Sequence, residues 1–231
     1  MKKKPAFYDN YQIKFEGEYI DGERNGKGIE YYENKQIKFE GEYLNGKIWN
    51  GIGYYDDGKK AFEIKDGKGN IIEYDEKGIL IFKGKYLNGE RNGKGIEYRE
   101  NRQIKFEGEY SNGKRNGKGK EYSLTGIASY KGILAFEGEY LNGERNGKGK
   151  EYYSNQLVFE GEYKNGLRHG KGKEFYLKYG NVKFEGEYKD GLRNGKGKEY
   201  YFGKIVFEGE YEYGFKKYWI NSKTIQKILK K

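Results

Sequence analysis

A short string in which aromatic residues alternate with glutamate, Phe15-Glu-Gly-Glu-Tyr19, returns along most of the chain. It begins again at Phe39, Phe106, Phe136, Phe159, Phe184 and Phe207, as Phe-Lys-Gly-Lys-Tyr at Phe82, and in a worn form at Phe62. A period of two is that of a β-strand with unlike faces. Phe15, Gly17 and Tyr19 share one face, and Glu16 and Glu18 share the other. Each copy continues with a second string, Asp21-Gly-Glu-Arg-Asn-Gly-Lys-Gly28 in the first, repeated at 88–95, 112–119, 142–149, 165–172 and 190–197. At 45–53 this string is one residue longer and includes Trp49. Asn-Gly and Asp-Gly favour positive φ and reverse the chain between strands. The second Asn-Gly of the string predicts a loop longer than two residues, followed by a second strand over 27–32. Each repeat therefore reads as one antiparallel β-hairpin.

An isolated hairpin is marginal in water, so the copies must support one another. The expected fold is all-β, an elongated single-sheet solenoid of consecutive antiparallel β-hairpins, with eight to nine copies over residues 15–214. The pattern breaks at a degenerate copy, 62–81, and at an insertion, 123–131. Residues 1–14 form a basic lead-in. In the last segment, 215–231, Ile225, Ile228 and Leu229 fall on one helical face with lysines off it, which predicts a short C-terminal α-helix as an amphipathic cap over the last strand edge.

Position by position, Phe15-x-Gly17-x-Tyr19, two residues, Gly22, three residues and Gly26-x-Gly28 resemble the MORN (membrane occupation and recognition nexus) repeat. The copies starting at 82, 106, 136, 159 and 184 carry the same resemblance, with Phe-x-Gly-x-Tyr in place of the more usual Tyr-x-Gly-x-Trp. The resemblance implies an all-β solenoid with an aromatic-lined groove and a scaffold, adaptor or membrane-associated role, in some cases as a homodimer.

Composition sharpens this picture. The mean hydropathy is −1.15, yet 18% of the 231 residues are aromatic, so the apolar content sits in a few large rings. There is no cysteine and a single histidine, His169, which excludes disulfides and multi-histidine metal sites. The net charge of +10 lies at the ends: +3 in residues 1–14 and +6 in 215–231, leaving +1 between them. A nearly neutral body argues against nucleic-acid binding, which needs a clustered basic track. No apolar stretch approaches a signal or membrane-spanning length, so the expected location is cytoplasmic, with peripheral membrane contact as the alternative.

Candidate chemistry is sparse. The 22–28 string lacks the spacing and the Ser/Thr of a phosphate loop, and Asp56-Asp57-Gly58 lacks the alternating ligands of a calcium loop. The repeated glutamate pairs have no asymmetry that would separate their pKa values, and His169 has no nucleophile beside it. These features point to no enzyme, no metal and no cofactor. The candidates that remain are surfaces. Tyr19, Tyr43, Tyr86, Tyr110, Tyr140, Tyr163, Tyr188 and Tyr211 would line a groove for a protein partner, a peptide or helix. Lys2, Lys3, Lys4, Trp219, Lys223, Lys227, Lys230 and Lys231 would meet anionic lipid or an acidic partner.

Overall fold

The computed structural model describes residues 2–124 and 131–217. It forms two compact units, Met1–Ala135 with Tyr140–Gly143, and Phe136–Glu139 with Glu144–Lys231. All regular structure among the described residues is β-strand. In the first unit, β1 (Lys2–Phe7), β2 (Ile13–Ile20), β3 (Glu23–Tyr31), β4 (Ile37–Leu44), β5 (Lys47–Tyr54) and β6 (Lys60–Ile64) make one antiparallel sheet in chain order. In a second sheet, β7 (Gly69–Tyr74), β8 (Leu80–Leu87), β9 (Glu90–Tyr98), β10 (Ile104–Ser111) and β11 (Lys114–Ser123) follow one another in the same way. Strand β12 (Ile133–Leu141) is divided between the units. In the second unit, β13 (Glu144–Tyr153), β14 (Gln156–Lys164), β15 (Leu167–Phe175), β16 (Val182–Lys189), β17 (Leu192–Tyr201), β18 (Lys204–Glu212) and β19 (Phe215–Lys217) again pair in chain order.

The hairpin turn is tighter than the sequence suggests. Asp21 (φ 50°) and Gly22 (φ 87°) alone reverse the chain between β2 and β3, both in the positive-φ region that a two-residue hairpin turn requires. The second Asn-Gly lies inside β3. Gly17 pairs with Gly28 but Tyr19 with Arg24, so Asn25–Lys27 bulge out of the ladder opposite one residue. Glu18 caps the bulge by accepting the Lys27 backbone N–H at 2.9 Å, and Glu109, Glu139 and Glu187 repeat this at Lys118, Lys148 and Lys196. A further stitch joins neighbouring copies: the turn glycine donates its N–H to the preceding copy's arginine carbonyl, as Gly46 does to Arg24, Gly113 to Arg91 and Gly191 to Arg168.

The single sheet expected from the repeat is corrected at the degenerate copy, where the backbone pairing between β6 and β7 is reduced to an isolated Lys65–Lys68 bridge. Elsewhere two glycines face each other at the centre of the hairpin, and a Cβ on Gly17 would stand 2.7 Å from the Gly28 Cα. In the degenerate copy those two places hold Ile64 and Ile71. Two branched side chains cannot share a gap sized for hydrogen, so the ladder opens there. Both isoleucines are buried in a cluster with Phe15, Phe39 and Tyr43.

The predicted C-terminal helix lies outside the described residues, apart from Phe215–Lys217, which are strand β19 and not helix. The basic lead-in likewise contains strand β1, paired to β2 with Lys4 opposite Gly17. Of the insertion, residues 125–130 lie outside the described part.

Candidate functional site

The inner face of each hairpin is a cage around one phenylalanine. The Phe15 ring, with no exposed surface, lies over Gly17 and Gly28, and a Cβ on Gly28 would come within 2.5 Å of it. Glycine is required there by this close approach. From the next copy, Tyr43 meets the ring edge-on, centroids 5.2 Å apart and planes at 89°. Arg24 closes the cage, its guanidinium carbon 4.0 Å above the ring centroid. The arrangement recurs with Arg91 over Phe82 and Arg115 over Phe106 in the first unit, and with Arg145, Arg168 and Arg193 over Phe136, Phe159 and Phe184 in the second.

Four of these arginines, Arg91, Arg115, Arg168 and Arg193, also reach a glutamate on the second strand of the preceding hairpin. Arg193 donates to both oxygens of Glu174, Nε at 2.9 Å and Nη2 at 2.6 Å, and Tyr188 donates its hydroxyl to the same carboxylate at 2.8 Å. Arg168 and Tyr163 hold Glu151 in the same way, Arg115 and Tyr110 hold Glu97, and Arg91 and Tyr86 hold Glu73. Bidentate arginine–carboxylate pairs of this kind are among the stronger and more directional polar contacts. Burial opposes ionisation of Glu97, Glu151 and Glu174, but the arginine and tyrosine donors outweigh it and hold all three below the usual carboxylate range. Burial first, and then the adjacent carboxylate charge, push Tyr43, Tyr86, Tyr110, Tyr163 and Tyr188 well above the ordinary phenol value.

The copy at 39–53 departs from this pattern. Ile48 replaces the arginine, pairing with Tyr43 as Arg24 pairs with Tyr19, and Gly53 faces Phe39 where Glu30 faces Phe15. Glu30 therefore draws on Arg24 of its own hairpin at 2.8 Å and on Lys38 at 3.4 Å.

These contacts define what the eight tyrosines do. Tyr43, Tyr110, Tyr140, Tyr163, Tyr188 and Tyr211 are buried to 3–4% exposure, while Tyr19 and Tyr86 are partly buried against the core. Their rings pack on phenylalanines, and most of the hydroxyls bond glutamates, so they offer little surface to a partner. Arg24, Arg91, Arg115, Arg145, Arg168 and Arg193 were not among the sequence candidates, although their recurrence at one place in the turn string was the available signal. Of the proposed basic contacts, Lys4 is exposed on β1, and nothing is described of the side chains of Lys2 and Lys3. Trp219, Lys223, Lys227, Lys230 and Lys231 lie outside the described residues.

On the outer face, lysine and glutamate face one another across the strands, as in Lys148–Glu162, Glu160–Lys173 and Glu185–Lys198. His169 takes a ladder place opposite Glu162. Among the described residues, no group of three or more His, Asp or Glu is placed to hold a metal ion. A polar hollow of about 370 Å³ in the first unit is lined by Tyr8, Asp9, Lys14, Glu33 and Glu76, with Lys14 ion-paired to Glu76.

An open antiparallel array of hairpins, each caging a phenylalanine between paired glycines and an arginine, defines a tandem β-hairpin repeat protein. The MORN repeat family matches residues 15–36, 82–103, 106–126, 136–158, 159–176 and 184–202, more than half of the chain, and the chain belongs to this family. The match passes over 39–81, where Ile48, Gly53, Ile64 and Ile71 replace repeat residues. No curated protein matches the chain.

Proposed function

We propose that this protein is a non-catalytic repeat scaffold that holds a protein partner along the edges of its hairpin arrays. One observation carries the reading. The ionisable and aromatic groups of the inner face are spent on one another, whereas apolar side chains recur in the open at the hairpin tips. Ile20, Leu44, Leu87 and Leu141 in the first unit and Leu167 and Leu192 in the second are all exposed beside the turns. Successive tips lie two strands apart, about 9.6 Å. Nothing in the hairpin itself calls for an apolar residue at these places: Ser111 and Lys164 stand where Ile20, Leu44, Leu87 and Leu141 do, and Glu23 and Lys114 stand where Leu167 and Leu192 do.

The test is photocrosslinking in the native cell. A photoreactive side chain at Leu44 or Leu192 should give a discrete protein adduct that is lost in a Leu87→Asp/Leu167→Asp variant. The same reporter at Glu16, on the outer face, should not give that adduct. Identical adducts from all three positions, or none from the tips, would sink the reading.

A further inference from the structure

At the opposite ends of the strands, and leaving aside the insertion at 123–131, the turns that connect one hairpin to the next differ between the two units. In the first unit, the turns at 8–12, 32–36, 55–59, 75–79 and 99–103 each carry at least one acid: Asp9, Glu33, Asp56 and Asp57, Asp75 and Glu76, and Glu100. In the second unit, the turns at 153–156, 176–181 and 201–204 carry none. They hold Tyr153, Leu177, Tyr179, Tyr201 and Phe202, which are 46–66% exposed, together with Lys178 and Lys204. The rings gather, with Tyr179 6.0 Å and Tyr201 4.6 Å from Phe202 between centroids. The repeat does not ask for this, because polar turns serve the same connection in the first unit. Exposed aromatic and aliphatic side chains on consecutive turns of a soluble array mark an interaction surface.

We propose that this turn edge docks an amphipathic α-helix with acidic flanks, presented by a partner protein; the proposal rests on the scaffold reading and names its partner class. Two properties of the edge select that occupant. The first is spacing: consecutive turns are two strands, about 9.6 Å, apart, and seven residues of α-helix rise about 10.5 Å. A helix laid along the edge therefore meets one turn per heptad and offers an apolar stripe to the rings. The second is charge: an edge with lysines and no carboxylates pairs with acidic flanks and repels basic ones. An anionic membrane is the poorer fit, since recognition of that kind draws on a cluster of about 4–8 basic residues and the three turns supply two.

The probe is a synthetic helix of roughly three heptads with leucine at the seam and glutamate on the flanks, set against its twin with lysine flanks. Binding to the full chain is followed by fluorescence anisotropy. The glutamate helix should bind about tenfold or more tighter than the lysine helix. Binding of the glutamate helix should fall about tenfold or more in Tyr179→Ser/Phe202→Ser, and the preference should invert in Lys178→Glu/Lys204→Glu. All four positions are exposed, and each variant is admitted only with the parent's melting curve. Equal binding of the two helices, or binding unchanged in both variants, overturns the proposal. So does sedimentation with phosphatidylserine vesicles that depends on the same residues while the helices show no preference, which would assign the edge to lipid. Peptide failure with tip crosslinks retained at Leu44 and Leu192 leaves the scaffold reading standing, and loss of both removes it.

Discussion

Arg193 and Glu174 sit 19 positions apart and meet through two hydrogen bonds, with both side chains about one-sixth exposed. The pair links β17 to β15 across the intervening strand, so a single contact spans more than one hairpin. Removing one member of such a half-buried pair strands the other. Arg193→Ala should cost about 2–4 kcal/mol in denaturant unfolding, less than a fully buried pair because water still reaches it. Arg193→Lys should recover only part of the loss, since an ammonium cannot bridge both oxygens and stack on Phe184 together.

The glycine pairs set a second limit. A Cβ at Gly95 would stand 2.4 Å from the Phe82 ring. Gly95→Ala should destabilise by about 1–3 kcal/mol through overpacking. In a Phe82→Leu background the same change should cost less, and a double-mutant cycle on unfolding midpoints reads the difference. A penalty that ignores the size of residue 82 would contradict the cage geometry.

Acid should loosen the arrays. Glu97, Glu151 and Glu174 have pKa values lowered by their arginine and tyrosine donors despite burial. A depressed carboxylate stabilises the fold above its unfolded value near 4.5 and loses that contribution as pH falls through the folded value. Melting temperature followed from pH 7 downward should hold until about 4.5 and then drop. Arg168→Ala should flatten the part of the drop due to Glu151.

At the alkaline end the sign reverses. Tyr110, Tyr163 and Tyr188 have raised values, so the folded state keeps its phenol protons where an unfolded chain would lose them near 10. Their stabilisation is complete below that pH and fades above it. Absorbance titration near 295 nm should show the phenols of Tyr110, Tyr163 and Tyr188 ionising only together with the loss of β-sheet signal.

Much of the hairpin could be read from residues alone. Asp21-Gly22 reverses the chain because both residues accept positive φ, and Phe15-Gly17-Tyr19 face one way because strands alternate. The length of the turn was misjudged, because an Asn-Gly inside a strand carries the same local signal as one at its end. Only the partner strand shows that Asn25-Gly26 is a bulge. The arginine–glutamate contacts were hidden for a related reason. Within one copy Arg193 and Glu199 look like solvated charges, and the second carboxylate, Glu174, belongs to another hairpin. The fate of Tyr188 followed from the same gap: a tyrosine on a thin sheet looks available until the neighbouring glutamate and arginine are in place. The sheet break, by contrast, was foreshadowed by the worn copy, although its cause, two isoleucines where glycines must meet, needed the register.

The opening of the ladder at Ile64 and Ile71 bears on how the protein comes apart. Regular copies are fastened to their neighbours by backbone ladders, glycine stitches and arginine clamps together. At the degenerate copy the ladder is reduced to one bridge, and beside it Ile48 and Gly53 have removed a clamp. Heat, denaturant or an applied pull should therefore enter there first. The array would then fail as separate cooperative blocks and not as one, with the seam written into the chain by four substitutions.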